Sequence, residues 1–118
     1  MKMFRFDQEV GKEIHAFDSK NLIMSRIIKE SVSLHIGCMF IGPDGIVGNH
    51  QAPGPQLFLV VDGQGFVRGK EDIIKSIKKG QAAFWEPGEW HETTSEKGMT
   101  AIVIEGEYID TSALTPLL

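Results

Sequence analysis

Histidines are the residues of this chain best suited to chemistry, and there are four, at positions 15, 35, 50 and 91. Imidazole gains and loses a proton near neutral pH and is the commonest side-chain metal ligand. None of the four stands in a local metal spacing such as H-E-x-x-H, so a shared site would have to be assembled by the fold. Two have telling surroundings. His91 follows Glu86-Pro87-Gly88, where proline and glycine turn the chain and a returning strand starts at the histidine. His50 ends a strand-like run before Ala52-Pro53-Gly54-Pro55, and Gln56 then opens the run Leu57-Phe58-Leu59-Val60-Val61. His35 lies in Ser31-Val32-Ser33-Leu34-His35-Ile36, where the apolar residues alternate opposite to it, which predicts a surface or interface histidine. His15 is assigned nothing. The single cysteine, Cys38, cannot form an intrachain disulfide, and its apolar surroundings predict a small core side chain.

The elements that must position these residues are strands. Turn signals recur at short intervals: Gly42-Pro43-Asp44-Gly45, Pro53-Gly54-Pro55, Asp62-Gly63-Gln64-Gly65, Gly69-Lys70, Lys79-Gly80, Pro87-Gly88 and Lys97-Gly98. Between them, β-branched and aromatic residues predict strands near 22–28, 31–41, 46–50, 56–61, 64–68, 72–77, 81–85, 89–94 and 99–104. The segment 72–77 also suits a short helix by its isoleucine spacing, but flanking Gly69 and Gly80 favour the strand. Gly63 and Gly65 bracket Gln64 in a hairpin turn; with no helix following, they do not form a phosphate loop. Residues 1–20 lack clean periodicity and are expected as an edge strand or arm. Many short strands and little room for helices predict an all-β sandwich or barrel. Residues 57–61 are apolar on both faces, so the face turned from the core needs a second sheet or a second subunit. With the apolar tail 113–118, this points to a homodimer.

Composition excludes several function classes. A length of 118 residues suits one domain. Sixteen acidic against twelve basic side chains, with Lys75, Lys78 and Lys79 near Glu71 and Asp72, leave no basic patch for nucleic acid. The start, Met1-Lys2-Met3-Phe4-Arg5, predicts no signal peptide, and no apolar run approaches a membrane span. A cytoplasmic location is expected.

The segments 50–63 and 80–95 together resemble the paired motifs of the cupin superfamily, G-x5-H-x-H-x3-4-E-x6-G and G-x5-P-x-G-x2-H-x3-N. Gly80, Gly88 and His91 match the second motif in register, with Glu86 at its proline position and Ser95 at its asparagine position. In the first motif His50 and Gly63 match. Ala52 stands where the second histidine would be, Gln56 stands at the glutamate position, and the leading glycine is displaced to Gly45. The resemblance covers roughly residues 30–105 of a single domain spanning 1–118, with an N-terminal arm at 1–20 and a C-terminal tail at 107–118. It implies an all-β double-stranded β-helix, a jelly-roll-like barrel that is often dimeric, with the motif side chains at one open end. It also implies a divalent metal (zinc, manganese, iron or nickel) held by three histidines and a glutamate. Carried over residue by residue, only His50, Gln56 and His91 are left for that role.

A neutral amide in place of a carboxylate weakens such a site, because a dipole replaces a net charge. Glu89, which shares the His91 face, and Glu86 are the carboxylates near enough to substitute. Three readings therefore stand. One is a binding module that holds a small molecule with His50, Gln56 and His91, lined by Phe58, Thr93 and Trp85. The second is a metal-dependent enzyme, of isomerase or dioxygenase type, with a reduced ligand set. The third is an enzyme without metal, using His91 or His50 as general base.

Overall fold

In a computed structural model covering residues 1–118, eleven strands follow one another with only two single-turn helical segments, Gln8–Val10 and Ala16–Asp18. The strands are β1 Lys2–Arg5, β2 Lys12–Glu13, β3 Ile23–Met24, β4 Leu34–Ile41, β5 Gly45–Gln51, β6 Gln56–Arg68, β7 Ile74–Lys78, β8 Gln81–Trp85, β9 Trp90–Ser95, β10 Met99–Gly106 and β11 Thr115–Pro116. Every strand pairing is antiparallel. One layer runs β11-β1-β8-β6-β10-β4. In the other, β5 pairs β9, and β9 and β7 flank the far half of β6. β2 and β3 form a small separate hairpin. No helix is long and apolar enough to cross a membrane.

β6 belongs to both layers. Its first half pairs β8 and β10, and its second half pairs β7 and β9. The separate strands 56–61 and 64–68 expected from the sequence, with a hairpin turn between them, are thus one strand that bends. Val61 is the extra residue at the bend, since Ala101 faces Val60 while Thr100 faces Asp62. Gly63 follows with φ +79°, and a Cβ there would run into the Gly98 carbonyl and Met99. The glycine therefore serves a bulge and a close strand approach, not a turn.

Alternation along β6 sorts two apolar clusters. Phe58 and Val60 point between the layers with Val67, Ile77, Ala83, Trp85, Ala101 and Val103. Leu57 and Leu59 point the other way, with Phe4, Ala82, Phe84 and Ile104. Burying each such large side chain contributes roughly 1.5–3 kcal/mol. The chain itself covers the second face: Ile109 and Leu114 of the tail are buried there, and Ile27 and Ile28 pack against it. The tail then pairs as β11 with β1, which lies inside the layer between β11 and β8. A second subunit is not needed to cover Leu57 and Leu59.

Strand β4 corrects a further expectation. His35, Gly37, Met39 and Ile41 share the face turned between the layers, so Ile36, Cys38 and Phe40 point out. Cys38 is exposed and not a core side chain. Periodicity gave the alternation of this strand but chose the wrong side as its buried face, because the outward set is the more apolar; His35, though on the inward face, is exposed as expected.

Candidate functional site

Two turns bring His50 and His91 together. The β5–β6 connection carries Ala52 and the β8–β9 connection carries Gly88, and their backbones are laced together. The Gly88 N–H donates to the Ala52 carbonyl at 2.8 Å, and the Ala52 N–H donates to the Glu89 carbonyl at 3.0 Å. The Gln51 side-chain amide donates to the Gly88 carbonyl at 3.2 Å. Gly88 has φ +78°, a conformation that glycine adopts at little cost. This lacing puts β5 and β9 in the register that pairs His50 with His91.

The two imidazoles touch, with ring centroids 4.3 Å apart and planes at 53°. His91 is buried and Trp85 stacks on it, centroids 4.3 Å apart and planes at 26°. Phe58 meets Trp85 edge-on at 5.9 Å. Thr93 lies two residues along β9 from His91, buried between Val47 and Val67. Trp85, Phe58 and Thr93 are thus packed walls, while His50 is exposed. Gln56 is buried and pairs in register with Trp85. The Trp85 indole Nε1 is buried with no hydrogen-bond partner.

The protonation state of the imidazoles follows from their partners. His91 Nδ1 lies 3.0 Å from the Glu89 carbonyl, and His50 Nδ1 lies 2.7 Å from that of Gly48. A carbonyl can only accept, so each Nδ1 carries the proton, and in a neutral ring Nε2 keeps its lone pair. Burial holds His91 below its ordinary 6.5; the hydrogen bond to the Glu89 carbonyl opposes it, the adjacent His50 lowers it further, and the Glu89 and Glu105 carboxylates raise it less. His91 is therefore a neutral ring with a bare Nε2. Such a site presents imidazole acceptors, and the unused donor of Trp85 lies fully buried behind them.

Glu89 does not reach the imidazoles with its carboxylate. That group accepts from the α-amino group of Met1 at 2.8 Å and from the backbone N–H groups of Glu86 and Lys70 at 3.0 and 3.2 Å. Burial alone would raise its pKa. The ammonium and the two N–H donors outweigh burial and hold the carboxyl below its ordinary 4.5. Glu86 is exposed and lies 3.9 Å from Lys70 Nζ.

The carboxylate beside the site is one that the sequence reading missed. Glu105, on β10, pairs in register with Gln56 on one side and His35 on the other. The Gln56 Nε2 donates to Glu105 Oε1 at 2.6 Å. The signal was the alternation Ala101, Val103, Glu105, which places Glu105 on the inward face; the expected strand 99–104 stopped one residue short. Glu105 and His35 also line an open cavity of about 910 Å³, walled by residues 32–35, the turn 53–55, Pro87 and residues 105–108.

The sequence matches no family model and no curated protein. Solved structures match the fold. An RmlC-like cupin from Shewanella frigidimarina superposes with a TM-score of 0.60 at 20% identity, over 64% of this chain and 67% of its own. A cupin superfamily protein from Desulfitobacterium hafniense gives 0.58 at 14% identity, over 74% and 79%. Drosophila melanogaster CENP-C bound to CAL1 gives 0.56 at 18% identity, over 60% and 63%. The chain has the cupin fold. A metal of the kind that cupins with full motifs bind needs three or four strong donors. No three of this chain's His, Cys, Asp and Glu side chains are grouped to hold an ion. Gln56 offers an amide whose nitrogen is turned to Glu105. The donor set does not fit such an ion.

Proposed function

We propose that this cupin-fold protein binds a small organic molecule at the end where β8 hands over to β9. His50, Gln56 and His91 orient the molecule, and Trp85, Phe58 and Thr93 form the wall behind them. The observation that carries this reading is the buried Trp85 N–H without an acceptor, stacked on a neutral His91 that touches exposed His50. An orphaned buried donor costs on the order of 1–3 kcal/mol, which a ligand carrying an acceptor would recover. A molecule with both a donor and an acceptor, such as a carboxylic acid or an amide, answers both kinds of group. Nothing in this arrangement requires a reaction, so the reading is of a binding protein.

The test is a titration of isotope-labelled protein with a panel of small acids and amides, following the Trp85 indole N–H and the histidine ring resonances. Saturable shifts at both, lost in His50→Ala, are expected. No saturable shift at either would sink the reading. Calorimetric titration with zinc, manganese, iron and nickel addresses the metalloenzyme alternative, and stoichiometric tight binding would replace the present reading by that one.

We propose in addition that the chain acts as a homodimer through β4. This eight-residue strand ends its layer with one edge unpaired, and its outward Ile36 and Phe40 are 59% and 80% exposed. An antiparallel strand can pair with its own copy across a two-fold axis, which makes a second copy the simplest occupant.

A further inference from the structure

The 910 Å³ cavity beside the imidazole pair is a second place to look for a ligand, and its charge is one-sided. Glu105 and Glu107 line it with one imidazole, His35, and no lysine or arginine does. Neither carboxylate has an ion-pair partner. The single contact that fixes Glu105 is the 2.6 Å hydrogen bond from Gln56 to Oε1, which leaves Oε2 for a ligand. Around the charges stand the flat, apolar surfaces of Pro53, Pro55 and Pro87 and the ring of Tyr108. The volume lies within the usual range of small-molecule pockets, roughly 300–1,000 Å³.

We infer that this cavity binds a small organic cation, an amine with a flat apolar body, with Glu105 as its counter-ion. The amide at position 56 then has a purpose of its own. A glutamate there would set two carboxylates side by side, and one of them would take up a proton. A neutral amide donates to Glu105 instead and fixes where the carboxylate points. The prolines and Tyr108 supply apolar area, and an aromatic face attracts a cation directly. The inference rests on the proposed binding function at one point, the shared Gln56; its ligand group and its pocket are different.

The test is an NMR titration of the labelled full chain with 2-phenylethylamine, 2-phenylethanol and 3-phenylpropionate, which share a body and differ in the charge of the head. The amine is expected to shift the amides of Gly54, Gly106 and Tyr108 saturably. It should bind about tenfold more tightly than the alcohol, as one charge-assisted hydrogen bond provides. Glu105→Gln should remove that preference. Equal binding of amine and alcohol, a preference for the propionate, or an intact amine preference in Glu105→Gln would each overturn the inference. The comparison of the three compounds in the parent protein decides even if the variant misfolds. Shifts confined to Trp85 and the histidines, abolished by His50→Ala, would keep the proposed function and remove this inference. Amine-specific shifts at 54, 106 and 108 that survive His50→Ala would support the inference whatever the imidazole pair binds.

Discussion

At His91 the imidazole is buried beside a second imidazole, and both conditions disfavour its charged form. An unfolded chain protonates this residue near the ordinary 6.5, whereas the folded chain resists down to a lower pH. Below 6.5 the unfolded state therefore binds more protons at this residue. The stability it contributes is fully present above 6.5 and is lost as pH falls from there through the lowered folded value. Chemical denaturation should give a lower midpoint at about pH 5.5 than at about pH 7.5, with a smaller difference in His91→Gln. An unchanged pH dependence in the variant would show that His91 is not the titrating group. His50 and His91 were legible in the sequence because each adjoins a proline-glycine turn that fixes its place at a strand end. Glu105 was not, because its meeting with Gln56 spans 49 residues and is made by strand pairing alone.

Among the elements, strands were easier to read than their connections. β7 to β10 follow from β-branched runs cut by Gly80, Pro87-Gly88 and Lys97-Gly98, since each cut is a residue that needs a special backbone conformation. The bend in β6 misled for the same reason: Gly63 has the positive φ of a turn residue but uses it within a paired strand. Which face of β4 is buried could not be read either, since Ile36 and Phe40 look like core residues until the partner layer is placed. Gly63→Ala tests the role of the bend. A Cβ at this φ is strained and meets the backbone of Gly98 and Met99, so the variant should lose roughly 1–3 kcal/mol in denaturant unfolding. A loss near zero would mean that the two halves of β6 tolerate another join.

At the scale of the whole molecule, the tail covers the outer face of β6 and leaves the outward side chains of β4, Ile36 and Phe40, in the open. If β4 pairs with its own copy, light scattering at micromolar concentration should give about twice 13.1 kDa. Phe40→Glu, which places a charge within that contact, should return the mass of one chain with its circular dichroism unchanged. A single-chain mass for the parent would rule out the dimer. One strand shared between two layers also bears on how the protein opens. Because β6 supplies hydrogen bonds to both, neither layer can part from the other while its own strands stay paired. Amide hydrogens deep in either layer must then exchange with solvent through one common opening, at one common free energy. The β2–β3 hairpin takes no part in β6 and can breathe alone.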